Sequence, residues 1–339
     1  MRFEDFIGNR TVLARLRTRL REGRFPHGLL FAGPEGVGKR TCALMLAKAL
    51  NCSEAHADDF CDACAQCRKI DAGVHADVIL VQPEEEGSAI KIAQIRGLLE
   101  TLGLRPLEGK HKVYIIDPAD AMNDAASNAL LKGLEEPPDD TSFMLVSSNP
   151  QALLVTVRSR CQTYAFGPLT LEELRSFGSD ELALRWARGS IGLLKSMDLA
   201  LLHQRRDAAL EFLETAIHAK EEQFADVIAV SADLARSKAE FEPHLNALAV
   251  IMEDLLYIRE GSKDRIVNID LESRLRKLAD DMPSEQFTRV ADFLRTIEIN
   301  LERNVNRQVL TDSLALTANV AMFKTNEGKI SNDNPAKSR

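Results

Sequence analysis

Four cysteines lie close together in the first fifth of the sequence, at a spacing typical of a metal site. Cys61, Cys64 and Cys67 form a CxxCxxC run, and Cys52 lies upstream of it across residues 53–60. Zn²⁺ binds four thiolates in a tetrahedron, and a CxxC turn brings two sulfurs to one side of the ion. Because protein ligands fill all four positions, we predict a closed, structural zinc site. An iron–sulfur cluster and unliganded thiols are the alternatives.

A glycine-rich loop suited to wrapping phosphates lies just before these cysteines. Its phosphate-binding residues are Gly33, Gly36, Gly38 and Lys39. The glycines let backbone amides and a helix N-terminus approach a phosphate, and the lysine adds a charge on the outer phosphates. The next position should carry a hydroxyl that holds Mg²⁺, but Arg40 occupies it, and a guanidinium cannot bind a cation. Thr41 lies about 100° further round the helix and does not simply replace that hydroxyl.

A second motif of a nucleotide hydrolase is also incomplete. The apolar run 113–116 ends at Asp117, as the strand that carries the Mg²⁺-binding acid should. Pro118 stands where a hydrolase would have a glutamate to position water. Asp120 is better explained as a helix-capping or solvated acid. We therefore predict a nucleotide-binding fold in which hydrolysis is not expected and the loop binds at most an anion or a bare nucleotide.

The segments around these motifs alternate between strands and helices through residues 1–166. Short apolar runs predict strands at 29–32, 77–81, 113–116, 143–147 and 164–166. Amphipathic spacing predicts helices at 40–50, 89–102 and 123–134. The alternation predicts a parallel sheet with helices on its faces, and Pro137-Pro138 should end the third helix.

The character of the chain changes after Gly167-Pro168. Residues 167–204 have a short, helical pattern, with Thr170 placed to cap a helix. From 205 to 325 apolar residues recur at three- and four-residue spacing, which predicts an all-helical domain. The segment 326–339 is polar and contains Gly, Asn and Pro, so we expect it to be disordered.

Charge and composition limit the classes of partner. The net charge of −8 at pH 7 gives no global basic field for nucleic acid, so any DNA contact should be local or shared with partners. No run approaches the roughly 18 apolar residues of a membrane span, and the first residues show no apolar signal region. We therefore expect a soluble cytoplasmic protein, and in that reducing compartment a CxxCxxC run favours a metal over disulfides.

Three motifs together resemble the bacterial clamp-loader AAA+ subunits. They are the run NALLKGLEEPP at 128–138, the Ser159-Arg160-Cys161 triplet and the cysteine insertion. The likeness covers at least residues 1–200, and the run NVNRQVL at 304–310 extends it less specifically to the helical region. It implies an α/β P-loop AAA+ domain (1–166) with an inserted zinc module (about 52–67), a small helical lid (167–204) and an all-α C-terminal collar domain (205–325).

The same resemblance distinguishes motor from non-motor subunits. Motor subunits (gamma/tau) have a Walker A hydroxyl, a Walker B glutamate and a sensor-2 arginine, and the corresponding residues here are Arg40, Pro118 and Gly192. Arg160 resembles the family's arginine finger. Such a finger stabilises charge on the phosphoryl group transferred at a neighbouring subunit's site.

The resemblance therefore implies a non-motor subunit, a stator that hydrolyses no ATP itself. It implies a hetero-pentamer with the motor subunits (gamma/tau) and a delta subunit. Through this complex we expect contact with the sliding clamp and primed DNA, and no membrane partner. Within this family pattern, Asn149 resembles a sensor-1 residue and Arg158 is a weaker finger candidate than Arg160.

Two other functions fit parts of the sequence. An active motor ATPase of the same clamp loader would use the retained Lys39, but three motor residues are missing. An independent zinc-dependent DNA-binding module is the other alternative. Arg68-Lys69 supply only two neighbouring cations, and affinity for DNA grows with the number of phosphates neutralised. Taken without the resemblance, Arg160 fits a surface residue in an ion pair.

Overall fold

A computed structural model describes residues 2–23, 25–54, 58–85, 87–301 and 306–319 of the chain. The chain divides into two compact units, Met1–Asp180 with Ala187–Ser196, and Glu181–Trp186 with Met197–Arg339. The segment 326–339, predicted to be disordered, lies outside the described residues, as do 304 and 305 of the NVNRQVL run. Across the described ranges, no helix has both the length and the apolar content that crossing a membrane requires.

The first unit is built on a five-stranded parallel sheet, which confirms the predicted parallel α/β architecture. The strands are β1 (Gly28–Ala32), β2 (Val78–Val81), β3 (Lys112–Ile116), β4 (Thr141–Ser147) and β5 (Gln162–Ala165). Their order is β2-β3-β4-β1-β5, and neighbouring strands are parallel. β1 and β4 are buried along their whole length, as expected when helices cover both faces of a sheet. The carboxyl ends of β1 and β3 meet at one edge, where an α/β sheet usually binds its ligand.

Helices connect these strands and cover the sheet. In this unit they are α1 (Arg10–Arg21), α2 (Lys39–Asn51), α3 (Ala65–Asp71), α4 (Ile92–Glu100), α5 (Asp124–Glu135), α6 (Val155–Arg158), α7 (Leu171–Leu174) and α9 (Ile191–Ser196), whereas α8 (Glu181–Trp186) belongs to the second unit. The Asn123 side chain caps α5 and the Thr170 side chain caps α7, the latter as predicted. α5 ends at Glu135, just before Pro137-Pro138.

The bounds of the predicted elements differ from those in the structure by one to three residues, and two of these differences have a clear cause. The helix predicted at 89–102 is Ile92–Glu100, because Ile90 instead forms a β-bridge with Met122. The last strand of the sheet spans Gln162–Ala165 rather than 164–166, because pairing with β1 begins at Gln162. Pairing with a neighbouring strand leaves no local pattern in the sequence, so bounds of this kind are the least predictable part of an element.

The second unit is helical, as predicted for the C-terminal region. It consists of α8 with α10 (Leu199–His218), α11 (Phe224–Ala235), α12 (Lys238–Arg259), α13 (Glu272–Asp281), α14 (Ser284–Leu301) and α15 (Arg307–Ala318). The apolar faces of these helices share one core, in which Leu213, Leu248 and Leu275 are fully buried. Pro283 lies just before α14, where proline is tolerated, whereas Pro243 lies inside α12.

A buried polar network joins α8 to the other helices of this unit. Asn268 Oδ1 accepts hydrogen bonds from Trp186 Nε1 at 3.1 Å and from Arg206 Nε at 2.6 Å. Asp254 accepts bonds from the side chain and the backbone N–H of Asn268, at 2.6 and 2.9 Å. Arg206 is 1% exposed, and its guanidinium also pairs with Asp270 at 2.6 Å. Because buried polar groups are costly without partners, this network specifies how α8 packs.

Candidate functional site

The four cysteines predicted to bind a metal lie together in the structure. Cys52 directly follows α2, and Cys64 and Cys67 lie at the start of α3. Together with Cys61, their Sγ atoms all lie within 4.8 Å of one another, and Cys52 Sγ is 3.9 Å from Cys64 Sγ. Sulfurs bound at about 2.3 Å to one Zn²⁺ are about 3.8 Å apart, whereas a disulfide needs about 2.0 Å. The tetrad therefore fits a metal ion such as zinc.

Backbone amides point at these sulfurs. The N–H groups of Ala63 and Cys64 donate to Cys61 Sγ at 3.4 and 3.1 Å, and the Cys61 N–H donates to Cys52 Sγ at 3.3 Å. Burial raises the pKa of both the Cys52 and the Cys67 thiol. Burial acts in the same direction on Cys64, but hydrogen bonds from Ser53 and Cys67 lower the pKa of this thiol to about 5. A bound divalent ion would stabilise the ionised form of all these thiols, so the donor set is suited to a metal.

Lys48 ties the cysteine segment to α2. This side chain is 5% exposed, and its Nζ donates to Asp62 at 2.5 Å and to Asp71 at 2.6 Å. Burial alone would lower the pKa of Lys48, but the hydrogen bonds and charges of the two carboxylates raise it. Asp62 lies inside the CxxC turn and Asp71 ends α3. One lysine therefore fastens both parts of the segment to α2, a role that the sequence analysis did not detect.

Five consecutive backbone amides bind the two polar residues Asp77 and Asn51, which flank the cysteine segment. The N–H groups of residues 107–109 donate to the Asp77 carboxylate at 2.7–2.8 Å, and those of residues 110 and 111 donate to Asn51 Oδ1 at 2.9 Å. Lys110 Nζ also donates to the carbonyl of Cys52, at 2.9 Å. Burial alone would raise the pKa of Asp77, but the three amide bonds lower it. We call Asp77, Asn51 and residues 107–111 the amide clamp.

The P-loop has the backbone that its glycines predict. Gly33, Gly36 and Gly38 have φ values of 145°, 72° and 96°, which other residues rarely adopt. Lys39 is 5% exposed, and its Nζ donates to the carbonyls of Gly33 and Pro34 at 2.6 and 2.5 Å. Burial lowers the pKa of Lys39. The Lys39 side chain therefore binds the backbone of its own loop.

Arg40 takes part in the second half of the nucleotide site. Its Nε lies 3.6 Å from Asp117 Oδ2, and its guanidinium donates to Gln82 Oε1 at 3.0 Å. Burial raises the pKa of Asp117, and the charge of Arg40 opposes this rise. The positive charge beside Asp117 is therefore supplied by the Arg40 side chain. Asp120 accepts a hydrogen bond from Ser148 Oγ at 3.3 Å and does not cap a helix, contrary to one of the two explanations offered for it.

The start of α9 lies directly on the P-loop. The Gly192 N–H donates to the Gly36 carbonyl at 3.0 Å. A Cβ built on Gly192 would lie 2.9 Å from Gly36 Cα, and one on Gly36 would lie 2.1 Å from Ser190 Oγ. Both glycines are therefore needed for this approach, and an arginine at position 192 would have to displace the loop.

A cavity of about 1050 Å³ lies beside the P-loop, in the size range of small-molecule sites. Phe6, Lys39, Arg40 and Asp117 are among the residues that line it. The Phe6 ring covers the loop at Gly38, where an added Cβ would lie 2.8 Å from the ring. The P-loop and Asp117, which follows β3, therefore line the same pocket, as expected for residues at the same edge of the sheet.

Arg160 lies in the turn between α6 and β5. Its side chain is 36% exposed and donates to Glu135 Oε1 at 2.7 Å and to the carbonyl of Thr156 at 3.0 Å. It is not among the described residues that line the cavity beside the P-loop. Arg158 donates instead to Gln151 Oε1 at 2.7 Å. An ion pair of Arg160 was one explanation of this residue, and the pair is present.

Comparison with known proteins shows a family likeness over most of the chain. A family model described as "DNA polymerase III, delta subunit" matches residues 8–170. The chain is 33% identical to DNA polymerase III subunit delta' of Bacillus subtilis over 329 residues, which are 90% of this chain and 94% of that protein. It is 42% identical to the delta' subunit of Pseudomonas aeruginosa over 135 residues, or 40% and 41% of the two chains.

A second group of relatives matches only about half of the chain. The tau subunit of DNA polymerase III from Escherichia coli is 39% identical over 173 residues, which are 51% of this chain and 26% of tau. The likeness to the Bacillus protein covers 90% of this chain and therefore includes helices of the second unit. The chain therefore belongs to the DNA polymerase III delta' family of bacterial clamp-loader subunits.

Proposed function

We propose that this chain is the non-motor (stator) subunit of a DNA polymerase III clamp loader. It assembles with motor subunits (gamma/tau) and a delta subunit in a hetero-pentamer, and supplies Arg160 to a neighbouring subunit's ATP. Loading of the sliding clamp onto primed DNA in the cytoplasm then depends on the ATP of its partners. The observation that carries the proposal is the ion pair of Arg40 with Asp117, in a P-loop that is otherwise retained.

We expect no intrinsic ATPase activity, and the reasons are the charges and the missing Mg²⁺ ligands at the site. Mg²⁺ in a P-loop site is held by a hydroxyl after the lysine and by the acid of the second motif. Here Arg40 replaces that hydroxyl and lies beside Asp117. Pro118 has no carboxylate to position water. An arginine at position 192, which would complete a motor site, has no space against Gly36.

Arg160 is suited to act in trans. It lies away from the residues that line its own P-loop cavity, and it is partly exposed. A guanidinium has five N–H donors, of which Glu135 and Thr156 use two. The remaining donors can reach a phosphate on another subunit, where such fingers contribute on the order of 10³–10⁵ in rate.

The rest of the chain serves assembly in this proposal. Residues 167–204 act as a lid and 205–325 as the collar that holds the ring together, as expected for a chain that resembles delta' over 90% of its length. The four cysteines hold a structural Zn²⁺, because they fill a tetrahedral site completely and leave no position open for chemistry. The ion would contribute folding energy to the module at 52–67.

The test uses the purified chain and the reconstituted complex. The chain alone with Mg²⁺ and ATP should show no turnover above background, in wild type and in Lys39→Ala alike. In the complex, Arg160→Ala should leave assembly intact and lower DNA-stimulated turnover. Turnover by the isolated chain that Lys39→Ala removes would refute the stator assignment. Full turnover with Arg160→Ala would refute the finger.

A motor ATPase like gamma/tau is the second candidate. The observation in its favour is the 39% identity to tau over 173 residues, together with the intact Gly33, Gly36, Gly38 and Lys39. The same ATPase measurement separates the two functions, because a motor requires turnover that depends on Lys39.

A further inference from the structure

Arg160 is held by two acceptors that belong to different elements. The Thr156 carbonyl comes from α6, four residues earlier in the chain, and accepts at 3.0 Å. The Glu135 carboxylate comes from the last residue of α5 and accepts at 2.7 Å. Together they engage both terminal nitrogens of the guanidinium, so the side chain has a defined direction in the free subunit.

The backbones beneath the pair are packed against the same point of the sheet. A Cβ built on Gly28, the first residue of β1, would lie 2.7 Å from the Arg160 carbonyl oxygen and 3.3 Å from Leu134 Cδ2. Leu134 is buried and immediately precedes Glu135. The end of α5 and the turn that carries Arg160 therefore meet at one glycine. Their spacing is set by the sheet and not by the exposed side chains.

We propose that Glu135 is the positioning residue for Arg160. This inference rests on the proposed function, in which Arg160 acts on a neighbour's ATP. An exposed ion pair contributes little to stability, so the value of this pair lies in orientation. A long, flexible side chain that is already directed loses less entropy when it meets a phosphate, and misplacement of a catalytic group by about 1 Å can cost on the order of 100-fold in rate.

The chain offers a matched control beside Glu135. Glu136 carries the same charge one residue later, is exposed, and forms no ion pair within the ranges that the structure describes. Glu135→Ala removes the acceptor, Glu135→Gln keeps an oxygen acceptor but no charge, and Glu136→Ala removes a neighbouring charge only. Each variant is assembled with the motor and delta subunits, and DNA-stimulated ATP turnover is measured against ATP concentration.

The finger-dependent kcat is the value for wild type minus the value for Arg160→Ala. Glu135→Ala should lower this quantity roughly tenfold with KM unchanged, because only transition-state contacts are affected. Glu135→Gln should recover most of it, and Glu136→Ala should match wild type. The mass of the complex and the melting temperature of the subunit should be the same for all variants.

A double variant completes the test. Glu135→Ala combined with Arg160→Ala should turn over ATP no more slowly than Arg160→Ala alone, since the carboxylate acts through the arginine. Wild-type turnover in Glu135→Ala, or an equal loss in Glu136→Ala, would overturn the positioning role while Arg160→Ala still lowers turnover. If Arg160→Ala itself has no effect, the proposed function fails first, and the inference fails with it.

Discussion

Arg40 Nε lies 3.6 Å from Asp117 Oδ2, so a guanidinium stands beside the carboxylate that would otherwise help to hold Mg²⁺. A side-chain cation therefore accompanies this carboxylate. Both residues belong to motifs that are recognisable in the sequence. Their contact could not be predicted without the fold, because they are 77 positions apart.

Replacement of Arg40 by threonine should restore a Mg²⁺ ligand. We expect Arg40→Thr to bind a fluorescent, non-hydrolysable ATP analogue at least roughly tenfold more tightly with Mg²⁺ than with EDTA, because the hydroxyl and Asp117 can then share the ion. Wild type should show no such dependence on Mg²⁺. Arg40→Lys, which keeps the charge, is the control. Mg²⁺-dependent binding by wild type at the affinity of Arg40→Thr would contradict the role of the ion pair.

Loss of one cysteine of the tetrad should remove the metal. Cys64→Ser is expected to reduce bound zinc from about one ion per chain to near zero by elemental analysis. The free energy of unfolding should fall by at least about 2 kcal/mol, and the melting temperature by roughly 4–8 °C, since a structural ion contributes folding energy. Cys42→Ala, at a buried thiol outside the tetrad, should lose stability through packing but keep its metal. Wild-type protein without metal would end the zinc assignment.

The amide clamp predicts a pH-dependent contribution to stability. The pKa of Asp77 is lowered from its ordinary value of 3.8, so its contribution is fully present above pH 3.8 and is lost as pH falls through the folded-state pKa. Asp77→Asn should therefore lower the free energy of unfolding at pH 7 by about 1–3 kcal/mol. The difference from wild type should shrink below pH 3.8.

Urea denaturation at a series of pH values measures this difference. The exposed Asp139, changed to asparagine, is the matched control and should follow wild type at every pH. A deficit of Asp77→Asn that stays constant down to pH 2 would mean that the carboxylate is not the acceptor of the three amides.

Replacement of Asn268 should destabilise the helical unit. Asn268→Ala leaves buried Trp186 and Arg206 without a shared acceptor, and we expect a loss of about 2–4 kcal/mol in the free energy of unfolding. Trp186 is the single tryptophan of the chain, so its fluorescence reports this environment directly. An emission shift to the red should accompany the loss. The exposed Thr296→Ala should change neither quantity.

Local patterns were sufficient to predict much of the fold. Apolar runs marked all five strands within a few residues, and the spacing of cysteines identified a tetrad that the structure brings within 4.8 Å. Both signals are carried by residues near one another in sequence. The parallel order of the sheet followed from alternation of strands and helices, since crossover connections impose it.

Contacts between distant polar residues were not predictable in this way. Lys48 lies in an apolar helix and resembles any surface lysine until α3 packs beside it. Asp77 was read as the first residue of a strand, and its carboxylate binds amides 30 to 32 positions away. The only local signal of such a contact is a polar residue at the buried end of an element, and the same is true of Asn51. Such residues lack periodicity, and only the three-dimensional packing selects their partners.

The amide clamp has a structural consequence. Residues 107–111 lead without a break into β3, and Asp117 follows the last residue of that strand. The cysteine module is thus attached to one end of a rod of roughly 17 Å, and the nucleotide pocket to the other. β3 is therefore the direct covalent connection between the segment that holds the cysteine module and Asp117 at the pocket.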